Sequence, residues 1–212
     1  TTNCYNTTTI ELTVNELPVL IQPTPLNLCD YINTGDEIEE FTLEDSIEQV
    51  LQGQTGINIS FYETQEDADN DTNPIFSPYT NTSNAQTIYI RGENEITGCY
   101  STITLDLRVN PIPSPAVPQA IEECDEDNDG FTFFTVEQNE VDIINGELDI
   151  VLSYHETLTN AENGIEPIIS PYYNIVPDSQ IIFVRAEKTI TGCFSIVEQE
   201  LVTLPSPELP LI

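Results

Sequence analysis

The chain has 212 residues, 39% of them hydrophobic, which suffices for one large buried core or two small ones. Its 37 acidic residues against four basic ones give a net charge of −33, which repels nucleic acid and anionic lipid surfaces and removes both as natural partners. No run of about 18 apolar residues and no basic-then-apolar leader occurs, so the chain reads as a soluble mature fragment without membrane insertion, with any export signal outside it.

In chain order, residues 1–17 contain "CYNTTTIELTVNELP" (4–18), which reads as the last strand of a preceding repeat. The proline-rich joint "LPVLIQPTP" (17–25) follows and is expected to be an extended, semi-rigid spacer. After "LCDYINTGD" comes "TLEDSIEQVLQG" (42–53), a short helix that Thr42 or Asp45 would cap and Gly53 would stop. Alternating and β-branched runs then predict strands at "INISF", "TIYIR" and "STITLDLRV". "NEITG" (94–98) connects the last two as a hairpin.

The same order returns after the joint "IPSPAVP" (112–118). "TVEQNEVDIING" (135–146) is the second short helix, with Gly146 as its stop. "LDIVLSYHET", "EPIISPYYN" and "QIIFVRAEKTITGCF" parallel "TGINISFYET", "NPIFSPYTN" and "QTIYIRGENEITGCY". The period is about 95 residues, and self-similarity at a fixed period marks a repeat architecture. Two whole units are assigned, 18–111 and 112–207, with 1–17 ending an earlier repeat and 208–212 opening the next joint. Short strands at regular spacing predict an all-β chain of tandem immunoglobulin-like β-sandwiches, each with one short helix, arranged as an extended rod.

The duplication tests each candidate for chemistry. His155, the sole imidazole, aligns with Tyr62, so a catalytic role would leave the other repeat inactive, and His155 reads as a strand-surface residue. No nucleophile elbow, base partner or phosphate-binding glycine loop is present. The chain is expected not to be an enzyme. Arg91 and Arg185 recur at one position and are expected to pair across strands with Glu63 and Glu156. Sequons at Asn6, Asn58, Asn70 and Asn81 are frequent by chance in so Thr-rich a chain.

Five cysteines without a C-x-x-C pair point to structural disulfides in an exported protein. Pairing inside each unit, Cys29 with Cys99 and Cys124 with Cys193, leaves Cys4 for a residue upstream. The competing scheme, Cys4 with Cys29 and Cys99 with Cys124, folds each joint back and strands Cys193.

"ECDEDNDGF" (123–131) has the D-x-D-x-D-G spacing that suits a hard cation. One calcium ion is expected on Asp125, Asp127 and Asp129 with the Phe131 carbonyl, where Gly130 permits the sharp turn. Val136 holds the twelfth position, so this is no EF-hand, and Glu137 or Glu123 is left to close the shell. In the first unit only Asp30 remains, with Ile32 and Thr34 at the other two positions. The triplet Asp67, Asp69 and Asp71 lacks the glycine and reads as a solvated loop.

"CDEDNDGF", "YHET", "SPYYN", "IFVRAE" and "TGCFS" in this order resemble the tandem repeats of large surface proteins of flavobacteria and related Bacteroidota. The resemblance implies export by type IX secretion, an extracellular cell-surface location and a gliding-associated adhesin. The expected role is a structural and adhesive stalk in contact with neighbouring repeats of its own chain. The alternatives are a module that recognises extracellular polysaccharide and a spacer of a secreted hydrolase. The lack of Trp, with most Tyr recurring at strand positions, favours the stalk.

Overall fold

The computed structural model describes residues 4–207; the expected joint at 208–212 lies outside them. Two compact units are formed, one from the residues up to Leu28 with Glu37–Val109, the other from Cys29–Asp36 with Asn110 onward. Both are β-rich with short helices. The chain is all-β, built of two tandem immunoglobulin-like repeats.

The first repeat runs β1 (Leu26–Cys29), β2 (Glu40–Phe41), α1 (Ile47–Leu51), β3 (Ile57–Tyr62), α2 (Gln65–Asn70), β4 (Tyr79–Thr80), β5 (Gln86–Asn94) and β6 (Tyr100–Asn110). A four-stranded sheet has the order β1-β6-β5-β3, and β2 pairs with β4. Alternation along β5 and β6 sends Ile88, Ile90, Leu105 and Leu107 inward, where Phe41 and Tyr79 from the two-stranded ladder meet them.

The second repeat runs β7 (Ile121–Asp125), β8 (Phe133–Phe134), α3 (Glu140–Ile144), β9 (Ile150–His155), α4 (Leu158–Asn163), β10 (Tyr172–Tyr173), β11 (Ser179–Lys188) and β12 (Phe194–Pro205). Its sheets have the orders β7-β12-β11-β9 and β10-β8, with β7 parallel to β12. Phe134, Tyr154, Tyr172, Ile182, Val184 and Leu201 fill its core. The long loop between β7 and β8 starts at the end of a sheet strand and is fixed at its far end by the β8–β10 ladder. That loop carries the acidic motif.

Several expectations need correction. Each expected helix is a 3-10 turn (Leu43–Ser46, Val136–Asn139) leading into five helical residues, and neither Thr42 nor Asp45 caps it by a side-chain bond. The left-handed stop falls at Gln52 and Asn145, one residue before Gly53 and Gly146. A second helix per repeat, α2 and α4, occupies what read as loop. Thr64 and Thr157 cap these by accepting the amides of Asp67 and Asn160, the spacing at which a Thr hydroxyl meets an N3 amide.

The proline-rich joints, expected as semi-rigid spacers, are held by hydrogen bonds. Proline removes donors but leaves carbonyls that still seek partners. Ser101 Oγ donates to the Pro18 carbonyl at 2.7 Å and Ile21 N to Val50 O at 3.0 Å. In the second unit Ser195 Oγ reaches Pro113 O at 2.7 Å and Ala116 N reaches Ile143 O at 3.0 Å. Each joint therefore belongs to the repeat that follows it. Residues 4–17, expected as a strand, make no strand pairing among the described residues, and Tyr5, Ile10, Leu12 and Val14 lie exposed. No helix among the described residues is long and apolar enough to cross a membrane.

Candidate functional site

The acidic loop is first of all a turn. Asp125 is buried; its Oδ2 accepts Gly130 N at 2.7 Å, and its Oδ1 accepts Asn128 N at 3.0 Å and Asp127 N at 3.2 Å. Asn128 and Gly130 take left-handed backbone (φ 58° and 91°), which Asn tolerates and Gly adopts freely. The first repeat folds its loop the same way: Asp30 is buried, its Oδ2 accepts Gly35 N at 2.6 Å, and Asn33 and Gly35 have φ 52° and 100°. The first Asp and the Gly of the motif are thus accounted for by folding alone.

Asp127 and Asp129 are the additions. With Asp125 they bring ligand oxygens within 4.8 Å of one another, the one such group among the described residues. All three donors are carboxylates, the type a hard cation takes. Phe131 contributes its amide to Asp129 Oδ1 at 2.9 Å. Glu123 accepts Gln138 and Glu137 accepts Ser170 Oγ, so both side chains left to complete a shell are engaged with neighbours of their own. Gly130 N holds the Asp125 carboxyl below the usual carboxylate range. The hydrogen bond with Asp125 and the Asp129 charge push Asp127 up.

Three rings stand beside this loop. Tyr173 stacks on Phe131 with centroids 6.0 Å apart and lies 4.8 Å from the Phe133 ring. With Asp125 and Asp127 they line an open cleft of about 450 Å³. Burial and the charges of Asp129, Asp127 and Asp125 raise the Tyr173 hydroxyl. Phe133 and Tyr173 face each other across the β8–β10 ladder. At the same register in the first repeat, Glu40 faces Thr80. The sequence signal for Tyr173 was a single letter, "SPYYN" against "SPYTN".

The disulfide departs from both expected schemes. Cys29 bonds Cys193, with Cα atoms 5.5 Å apart and a sequence separation of 164, while Cys99, Cys124 and Cys4 are free thiols. Cys29 ends β1, and Cys193 closes the T-G-C turn ahead of β12. The chain segment Cys29–Asp36 joins the second unit, where Tyr31 packs edge-on against Phe194 at 5.8 Å. Pairing inside each repeat assumed that a repeat must be closed alone; each repeat has a hydrophobic core of its own, and the bond lies between the two repeats instead.

The remaining candidates are structural. Arg91 Nη1 donates to the Ala68 and Asp69 carbonyls at 2.9 and 3.2 Å, pairs with Glu93 and lies 3.4 Å over the Tyr100 ring. Arg185 repeats this with Ala161, Glu162, Glu187 and Phe194. Each clamps the last turn of α2 or α4, where carbonyls lack helical partners. Glu63 and Glu156, the expected partners, instead accept the Tyr79 and Tyr172 hydroxyls.

His155 is buried, not on the surface. Its Nδ1 donates to the Ile165 carbonyl at 2.8 Å, which leaves Nε2 to accept Ser153 Oγ at 2.9 Å. Tyr62 fills the same place and bonds Ser60 and Asp71. Asp67, Asp69 and Asp71 serve separate bonds, to Thr64, Gln65 and Tyr62. Asn81 is buried and its Nδ2 donates to Glu37 O and Ser83 O, which closes that sequon. Its counterpart Asn174 braces the acidic loop through Gly130 O and Thr132 N.

A family model described as the Flavobacterium inter-domain disulphide bond domain matches residues 25–113 and again 120–207. The chain belongs to this family. Cys29 lies in the first match and Cys193 in the second, so the bond seen here is the inter-domain disulfide of the family's description. No curated protein matches the chain. Among solved structures, a titin fragment of domains I67–I69 is 11% identical with TM-score 0.30, over 87% of this chain and 64% of that one. Human protocadherin-24 EC1–2 is 10% identical with TM-score 0.28, over 91% and 100%. Drosophila N-cadherin EC1–4 is 12% identical with TM-score 0.23, over 86% and 48%. This chain thus spans under two thirds of the titin fragment, and at these scores the likenesses carry no argument. Membership of the disulphide family suits an oxidising, extracellular setting, since such bonds are rare in the reducing cytosol.

Proposed function

We propose that the chain is a load-bearing stalk module of an adhesive protein on the bacterial surface. One observation carries this reading: a covalent bond joins residues in two successive family domains. Tension applied along the chain passes from Cys29 through the sulfurs to Cys193 and bypasses every residue between. At ~3.4 Å per extended residue, a sequence separation of 164 represents ~560 Å of chain that pulling cannot release. Chain-entropy arguments add about 5 kcal/mol for closing so long a loop.

The supporting features agree. The prolines are docked, and the Arg clamps recur in both repeats. Type IX export and a gliding-associated adhesin role, which the resemblance to Bacteroidota surface proteins implies, belong to the same reading. So do neighbouring repeats as partners.

Single-molecule stretching tests it. The oxidised chain should stay short to the force that breaks the tether, and reducing agent should add ~560 Å of contour length. Full extension of the oxidised chain, or release of the two repeats at equal force in both states, would show that the bond carries no load.

A further inference from the structure

Beyond the stalk reading, we propose that the cleft formed by Phe131, Phe133 and Tyr173 beside Asp125 and Asp127 is a recognition site for a lysine or arginine side chain presented by another polypeptide. Cross-strand pairing accounts for the Phe133–Tyr173 contact as ladder stabilisation. It does not account for the third ring, nor for the two acids added to a turn that folds without them. Phe133 is 60% and Tyr173 46% exposed, so their faces are open to a ligand.

Charge chooses the occupant. Aromatic faces attract a cation within about 6 Å of the ring centre, and carboxylates beside them supply the counter-charge. A long aliphatic stem lies along the rings while its charged head meets the acids. The chain itself does not supply that head. Of its four basic residues, Arg91 and Arg185 are buried clamps, and Lys188 and Arg108 are paired with Glu147 and Asp106. The site is also particular to one repeat, because Ile32, Thr34, Glu40 and Thr80 stand at the places of Asp127, Asp129, Phe133 and Tyr173.

A chain of charge −33 attracts any cation weakly, so the test must separate a site from a general field. The whole chain, labelled with ¹⁵N, is titrated at about 0.15 M salt with a capped peptide of alternating Gly and Lys. Amide shifts should concentrate at Asp127–Phe133 and Tyr173 and exceed severalfold those at Ile32–Glu40 and Thr80. The same peptide with acetylated lysines should have no effect. The double variant Phe133→Glu, Tyr173→Thr installs what the first repeat already folds with, and it adds negative charge. Binding tenfold weaker in that variant means the rings hold the ligand. Unchanged or tighter binding overturns the proposal, since attraction then rests on charge alone. Equal shifts from the acetylated peptide overturn it as well. So do loop shifts produced by calcium chloride but not by the lysine peptide, which would return the loop to the metal. Shifts from a neutral glucan oligosaccharide alone would give the cleft to a polysaccharide.

Discussion

The loops Asp30–Gly35 and Asp125–Gly130 share a backbone and differ in what they show to solvent. Both begin with a buried Asp that accepts the Gly amide five residues on, and both pass through a left-handed Asn; only the second is braced at its Gly by an Asn from the "SPY" segment, Asn174, whereas Asn81 bonds Glu37 and Glu39 past the end of the first. Outward from that frame, Ile32 and Thr34 in one become Asp127 and Asp129 in the other. Across the ladder, Glu40 and Thr80 become Phe133 and Tyr173. The frame is what a turn needs to satisfy its amides. The exterior is free to change, and where two copies of one fold diverge only there, the divergence is where a new property is to be sought.

The shared frame should fail identically in both copies, and the Arg clamp gives the largest effect. Arg91→Ala and Arg185→Ala each leave two helix-end carbonyls and a ring face without their partner. Losing charge-assisted bonds to buried groups costs about 2–4 kcal/mol. Calorimetry should show a comparable drop in the unit that carries each change. Lysine should rescue little, because a point charge cannot bond two carbonyls and lie flat on a ring together. A large loss in one repeat with none in the other would break the equivalence.

Next in size is the turn itself. Asp30→Ala and Asp125→Ala should both lower stability, the first by removing the acceptor of the Gly35 amide and the second by removing the acceptor of three turn amides, whereas Thr34→Ala and Asp129→Ala should change little. Hydrogen exchange at Gly35 and Gly130 reads this directly. If Asp125→Ala spares the Gly130 amide while Asp30→Ala exposes Gly35, the two loops do not share a frame and the acids in the second have a structural duty of their own.

Much of this was legible in the sequence because the chain prints each solution twice. Period, β content, the hairpin at "TITG" and the recurrence of Arg91 and Arg185 followed from local pattern. What was missed depends on contacts that pattern does not carry. The helices that Thr64 and Thr157 cap went unread because they are only six residues long and show no apolar stripe. His155 looked exposed because a polar ring at a strand end normally is, yet a carbonyl and a hydroxyl satisfy both its nitrogens inside. The cysteine pairing was beyond reach, since spacing says which thiols are equivalent, not whether equivalents bond within a repeat or between successive ones. The aromatic cleft was hidden by counting tyrosines as repeated positions, when Thr80 stands at the place of Tyr173 in the other copy.

The smallest expected effect is a pH signature confined to the second repeat. Asp125 has its folded value depressed, chiefly by Gly130 N, so its contribution is present above the ordinary Asp range near about 3.9 and is lost as pH falls through the depressed value. Asp127 is shifted the other way by its bond to Asp125 and the nearby Asp129 charge. Its ionised form therefore costs stability at neutral pH, and that cost disappears as pH falls through the raised value. On acidification from neutrality the second repeat should first gain slightly, just above the ordinary Asp range, then lose stability below it. Asp127→Asn removes the ionisation, so it should abolish the gain and keep the loss. The first repeat has Ile32 at that position and should show no gain attributable to its loop. Amide exchange at Gly35 and Gly130 followed from pH 7 to pH 3, corrected for intrinsic rates, compares the two copies within one molecule. A gain that survives Asp127→Asn would assign it to another group and separate the acidic pair from the turn it decorates.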